Sequence, residues 1–460
     1  MKKNKIRVIS AVVSAIMLAS SASVFAKFDA YNDPDGFTLG HYEAEVNQEQ
    51  RADTEKLYEQ RPKNERQFEN LSRGLVAVLG ENGTLVSWRF LGTDSNSLTY
   101  NLYCSGEKLN DEPITTTNFF HTGASTNAEY TLKEVENGEE TGVEYTTTAW
   151  DKNYIGFKVT EREGYNIDDG AVADLDGDGE YEILLRRVPS MDVNKRTSYP
   201  VIEAYKTDGT HMWTIDIGPN EINEVDINFL AYDMDGDGKA EVIMRSFEGT
   251  TDGKGNTTGD TNGDGITDYS KSESNLAIFK DRQYIVSTPE FLSIYDGETG
   301  EETDRTDLKP SKEPLSDWSY RYSDTGRLTK RASHYLFGLA YLDGVTPSVV
   351  MVRGAWDNVR AAAWHIEDGK FKEDWVHNTE NKDDVNSIWG ACNHNLVTVD
   401  VDFDGKDEIL SGPMAIDHDG SEMYAVKVYD NDGNAQKLAH GDAFDAVSYT
   451  HLTLPTILLV

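Results

Sequence analysis

The stretch DLDGDGEYE, from Asp174 to Glu182, sets carboxylates at its first, third, fifth and ninth positions. The pattern returns as DMDGDGKAE from Asp233, DTNGDGITD from Asp260 and DVDFDGKDE from Asp400. Side-chain oxygens at that spacing, with glycine at the sixth position permitting a tight turn, fold around one hard cation, and calcium is the natural ion. The expected structural calcium ligands are therefore Asp174, Asp176, Asp178 and Glu182; Asp233, Asp235, Asp237 and Glu241; Asp260, Asn262, Asp264 and Asp268; and Asp400, Asp402, Asp404 and Glu408. An EF-hand would need a bidentate Glu at position 12, where the four copies carry Leu185, Met244, Lys271 and Ser411. A single acidic, glycine-rich run reads equally well as a solvated turn. Four copies with an acid at the ninth position favour metal, and the Asp260 copy, followed by a polar stretch, carries the weakest signal.

The elements that must hold these loops are strands. EILLRR, EVIMRS and EILSG follow three of them directly, short and rich in Ile, Val and Leu, as buried strands are. Interleaved with the loops is a second recurring phrase, strand, Asp-Gly turn, strand, as in IEAYKTDGTHMWTIDIG, LSIYDGETGEETDRTDL and AAWHIEDGKFKEDWVHN. Irregularly spaced copies of one such unit predict an all-β chain with the blades of a β-propeller over residues 156–446, a stacked β-solenoid being disfavoured by its shorter, more regular repeats. Ahead of it, RGLVAV, TLVSWRF and LTYNLYCSG predict a small β-sandwich-like domain over residues 66–155, and residues 27–65 read as a flexible polar lead-in.

Residues 1–26 have the basic start, apolar run and small-residue cleavage site of a signal peptide, so the mature chain is expected outside the cell, with no membrane association after cleavage. With 81 Asp and Glu against 43 Lys and Arg, the net charge of −38 excludes nucleic acid as a partner. Only Cys104 and Cys392 are present, so no disulfide framework carries the fold.

Taken in order, NLSRGLVAV, SWRFLGTD, YNLYCSGEKLN, DLDGDGEYE, LAYDMDGDGKAEVIMR, NHNLVTVDVDFDGKDEIL and HGDA resemble the rhamnogalacturonan lyases of polysaccharide lyase family 11. The likeness runs from about Leu71 to Ala443. It implies a secreted, calcium-containing eight-bladed propeller, expected to be a monomer, acting as an endolyase on the rhamnose and galacturonate backbone of rhamnogalacturonan I in pectin. It also implies a site metal held by Asp169, His394, His440 and Asp442, with Asp168 beside it facing substrate. Calcium or manganese is expected there, since paired imidazoles suit a transition metal better than calcium does. The general base is not assigned; Lys330, Arg331 and Arg353 are candidates, among strand-end cations that include Arg186, Arg187 and Arg245. The alternative is a non-catalytic, calcium-stabilised propeller that binds carbohydrate or serves adhesion. Residues 447–460 break the blade pattern and read as a non-native tail, so the expected propeller is incomplete and this chain by itself is expected to be poorly folded or inactive.

Overall fold

The computed structural model describes residues 56, 60–123, 127–189, 199–222, 228–280, 282–319, 322–354, 357–379, 387–391, 394–425, 427–429 and 435–437. The expected signal peptide and C-terminal tail, with Cys392, His440 and Asp442, lie outside them. The described chain is all-β apart from short helical pieces such as the 9-residue helix Thr325–Ser333. Among the described residues no helix is long and apolar enough to cross a membrane.

The N-terminal unit is two sheets across one core. Val76–Gly80, Gly83–Ser87 and Asn118–Thr122 form a three-stranded antiparallel sheet, and Glu107–Lys108, Thr99–Cys104, Glu129–Glu136 and Glu139–Thr148 a four-stranded one, in that order. Side chains alternate between faces with period two. Ala77 and Val86 thus meet Tyr100, Leu102, Tyr130 and Leu132 in the core, while Leu85 turns to solvent.

Among the described residues four four-stranded sheets follow, each an antiparallel meander in chain order, beside two two-stranded hairpins. The first is Tyr165–Ala173, Glu182–Pro189, Val201–Tyr205 and His211–Asp216. The second is Phe229–Tyr232, Glu241–Phe247, Glu290–Tyr295 and Glu302–Asp307. The third is Tyr335–Ala340, Ser348–Arg353, Arg360–Glu367 and Lys370–Asn378, and the fourth Val397–Val399, Glu408–Ser411, Met414–Ile416 and Glu422–Ala425.

The continuous apolar runs are explained by burial on both faces. In the second sheet Val242 and Met244 pack on Leu184, Ile202 and Ala204 of the first, while Ile243, between them, packs with Val349 and Met351 of the third. The third sheet repeats this: Val350 and Val352 pack on Ile409, Met414 and Ile416 of the fourth. Each such side chain contributes roughly 1.5–3 kcal/mol on burial, so the sheet-to-sheet contacts dominate the stability of the assembly.

Backbone hydrogen bonds repeat from sheet to sheet at the loop end. Ala240 N–H donates to Asp174 O at 2.7 Å, and Asp407 N–H donates to Tyr341 O at 3.0 Å. In both, the eighth loop residue of one sheet reaches the residue that directly follows the first strand of the sheet before it. The third sheet has a shorter first turn without the acidic pattern, and there Gln67 Nε2 donates to Asp233 O at 3.2 Å. Gln67 belongs to a strap that visits the loop ends of all four sheets. Asn64 Nδ2 donates to Gly405 O at 2.9 Å, Arg66 pairs with Asp407, Gln67 N–H donates to Val345 O at 2.8 Å, and Ser72 N–H donates to Gly179 O at 2.8 Å. The polar composition that suggested a lead-in thus serves, from Asn64 onward, to bond loop ends.

Candidate metal loops and active site

Three acidic loops join the first and second strands of the first, second and fourth sheets. Their local fold follows from the aspartate at position one. Asp174 accepts Gly177 and Gly179 N–H, each at 2.8 Å, with its two oxygens, and Asp233 accepts Gly236 and Gly238 N–H at 2.7 and 3.0 Å. Gly177, Gly179, Gly236 and Gly238 all have positive φ, which the turn requires. The ninth-position glutamate, first in the next strand, reaches back to the second loop residue: Glu182 accepts Leu175 N–H at 2.8 Å, Glu241 Met234 N–H at 2.9 Å, and Glu408 Val401 N–H at 2.7 Å.

This folding crowds carboxylates. Oxygens of Asp174, Asp176 and Asp178 lie within 4.8 Å of one another, as do those of Asp233, Asp235 and Glu241 and those of Asp400, Asp402 and Asp404. Desolvation, followed by like charge from neighbours despite the opposing backbone hydrogen bonds, pushes Glu182 up to about 7 and Glu241 and Glu408 up to about 8. Burial likewise raises Asp174, Asp233, Asp235 and Asp400. Asp176 Oδ1, Asp400 Oδ1 and Glu408 Oε1 are buried without a hydrogen-bond partner. Such oxygens in an all-acid cradle suit a dication, which would offset both the repulsion and the missing donors.

The Asp260 copy folds its first half in the same way, with Gly263 and Gly265 N–H donating to Asp260 at 2.7 and 2.8 Å. It diverges at the ninth position. Asp268, one methylene shorter than glutamate, caps Ser270 N–H at 3.2 Å and pairs with Lys271 at 3.0 Å instead of returning to the loop. Asn262 Nδ2 turns to Asp264 and to Tyr269 Oη. This loop lies in the insertion between Glu241–Phe247 and Glu290–Tyr295, not at a sheet's first turn.

Asp168 and Asp169 sit on the first strand of the first sheet, where the register shifts between Ile167 and Asp169 and leaves Asp168 as the extra residue of a bulge. Asp168 accepts Arg186 Nε at 2.8 Å, and Asp169, 59% exposed at its side chain, stands 3.7 Å from the same guanidinium. His394 is exposed, its ring edge-on to that of the buried His334 at 5.0 Å between centroids. Asp169 and His394 do not fall within one ligand cluster among the described residues.

The cationic candidates separate by burial. Arg353 is 0% exposed and donates to Ala332 O at 2.5 Å, Pro310 O at 2.9 Å and Glu290 at 2.7 Å. Arg245 lies between Glu221 and Glu290 and over the Tyr335 ring, and Arg187 donates to Glu203 at 3.0 Å. These three hold the interior together. Arg331, beside Asp357 at 3.0 Å, and Lys330 are half-buried on the helix Thr325–Ser333.

Residues 156–446 match the family model of the rhamnogalacturonan lyase family 11 C-terminal domain, and residues 66–150 match the rhamnogalacturonan I lyase beta-sheet domain. The chain belongs to rhamnogalacturonan lyase family 11. Among its relatives, the rhamnogalacturonan endolyase YesW of Bacillus subtilis (strain 168) is 37% identical over 393 residues, 82% of this chain and 58% of the relative. The rhamnogalacturonan exolyase YesX of the same strain is 37% identical over 395 residues, 82% of this chain and 60% of the relative. The crystal structure of YesX superposes with a TM-score of 0.68 at 36% identity, covering 79% of this chain and 59% of that one. A Bacillus licheniformis rhamnogalacturonan lyase superposes at 0.67 and 37% identity, covering 78% and 61%. The chain thus spans about 58–60% of the length of these curated relatives.

Proposed function

We propose that this chain acts in a secreted rhamnogalacturonan endolyase, its sheets being blades of a β-propeller whose acidic loops hold structural calcium. The observation that carries the reading is the match to lyase family 11 across residues 156–446, on sheets whose first turns bear the acidic loops. The reaction removes the galacturonate C5 proton, forms the C4=C5 double bond and expels the glycosidic oxygen from C4, leaving an unsaturated uronate at the new end. A dication held by Asp169, His394, His440 and Asp442 would supply stabilisation of the charge that builds on the substrate carboxylate. The chain's own contribution is positional. Arg186 fixes Asp168 on its bulge and neutralises part of the charge beside Asp169, keeping an anionic polymer from being repelled at that point.

The test is incubation of the chain with rhamnogalacturonan I, following ultraviolet absorbance of unsaturated uronates and the size of the products. Endo action predicts an early fall in mean polymer mass. Binding without new absorbance would favour the non-catalytic carbohydrate-binding reading.

A further inference from the structure

The acidic loop of the fourth sheet differs from the other two first-turn loops in having an imidazole at its rim. His418 lies in the turn after Met414–Ile416, its carbonyl accepting Trp375 Nε1 from the third sheet at 3.0 Å and its N–H donating to Asp417 Oδ1 at 2.7 Å. That anchoring places the ring nitrogen Nδ1 3.5 Å from Asp404 Oδ2 and 2.6 Å from Asp417 Oδ1, without a well-directed hydrogen bond to either. Across from it is Glu408, 0% exposed, whose Oε2 accepts Val401 N–H while Oε1 has no hydrogen-bond partner. Ligand atoms of Asp404, Glu408 and His418 all lie within 4.8 Å of one another. The corresponding clusters in the first and second sheets are carboxylates alone.

From this geometry we propose that the fourth loop is a mixed oxygen and nitrogen site, taking a borderline dication of the zinc class on Asp404, Glu408 and His418. Calcium takes oxygen ligands, six to eight of them, and gains nothing from an imidazole, whereas zinc accepts carboxylate and imidazole together in a tetrahedron. Two ligands at about 2.1 Å from a tetrahedral centre stand about 3.4 Å apart. The 3.5 Å between His418 Nδ1 and Asp404 Oδ2 is such an edge. Asp404 also belongs to the cluster with Asp400 and Asp402, so the mixed set and the all-oxygen set share a ligand and the two ions compete for one loop. Zinc on Nδ1 requires the Nε2–H tautomer. Lys406 Nζ, 2.9 Å from Nε2 and half-buried, must then turn outward to solvent.

The experiment is calorimetric titration of the metal-stripped chain with zinc alone, followed by dialysis against excess calcium and elemental analysis. It is run on the wild type, H418Q, H418D and H394Q. The wild type retains a zinc ion through the calcium dialysis, and H394Q retains that same ion, which separates it from any metal at the proposed active site. H418Q weakens zinc binding by about ten-fold or more. H418D, with oxygen restored in place of nitrogen, loses the retained zinc but takes up calcium, which shows that the loop is still folded. Zinc bound by H418Q as tightly as by the wild type, or zinc fully displaced by calcium from the wild type, overturns the assignment. Both readouts are independent of substrate, so lyase activity can fail while this holds.

Discussion

Removing metal should invert how this protein's stability responds to pH. In the metal-free fold Glu182 ionises at about 7 and Glu408 at about 8, against an ordinary 4.5, chiefly because burial strips their carboxylates of water. The folded state then holds protons that the unfolded chain has already released. Stability contributed by these groups is complete below about pH 4.5 and is lost as pH rises through the folded values near 7 and 8. Glu182 is 3% exposed and Glu408 0%. Each changes stability by at most about 1.4 kcal/mol per pH unit, and water entering at the exposed loop rims reduces that to roughly half. Together they should lower stability by about 1–1.5 kcal/mol per unit between pH 5.5 and 7.5. Calcium binds the ionised form and, at one hundred times its dissociation constant, adds about 2.7 kcal/mol per site, so the slope reverses in its presence. The assay is urea denaturation followed by tryptophan fluorescence, near pH 5.5 and near 7.5, in chelator and in calcium, with Glu408→Gln as a control. The control should reduce the slope in chelator by the share of Glu408, with Glu182 and Glu241 keeping theirs, and raise metal-free stability at the higher pH. A pH response that is the same in chelator and in calcium, or unchanged in Glu408→Gln, would refute the reasoning.

Glu290 faces Arg353 at 2.7 Å and Arg245 at 3.4 Å in the interior, so Glu290→Ala takes the carboxylate partner from the fully buried Arg353 and leaves Arg245 on Glu221 alone among its carboxylates named above. It should destabilise by about 3–5 kcal/mol, read as a lowered urea midpoint. A Cβ on Gly297 would stand 1.9 Å from Ala240 O, so Gly297→Ala should cost about 3 kcal/mol and reduce soluble yield; a wild-type melting curve would show that the last turn of the second sheet is not so tightly packed on that sheet's own acidic loop. Arg66→Ala removes the bidentate partner, at 2.8 and 3.2 Å, of the nearly buried Asp407 and should destabilise by about 2 kcal/mol, with proteolysis beginning in the strap. His394 is exposed, so His394→Ala should leave the melting curve within about 0.5 kcal/mol of wild type while abolishing cleavage.

The acidic loops were legible because their chemistry is local. Position one folds the turn, position nine closes it, and both lie within one short stretch. The weak standing of the Asp260 copy also followed from its surroundings, since the polar stretch after it holds Ser270 and Lys271, which draw Asp268 away. The two-faced strands were legible for the same local reason, a continuous apolar run.

What was not legible depends on partners far away in the chain. Arg245 and Arg353 look from sequence like available cations; their partners Glu221 and Glu290 come from other segments, and no periodicity reveals that pairing. The strap from Asn64 to Ser72 has no apolar pattern, because its side chains bond carbonyls and a carboxylate at loop ends. The helix Thr325–Ser333 buries Gly326, Thr329, Ala332 and Ser333 along with Leu328, so its inner face is small and partly polar. Its clearest sequence mark is Asp324, which caps Arg327 N–H at 2.9 Å. His418 drew no attention because it becomes a neighbour of the Asp400 loop only when the fourth sheet forms.

The most direct test of the central claim is the ultraviolet absorbance of rhamnogalacturonan I digests made by this chain with calcium present, with chelator, and with the His394→Ala variant. The account predicts unsaturated uronate products in calcium, lost in chelator, restored on calcium addition and absent with the variant. Saturated reducing ends without new absorbance, or cleavage undiminished by His394→Ala, would contradict it.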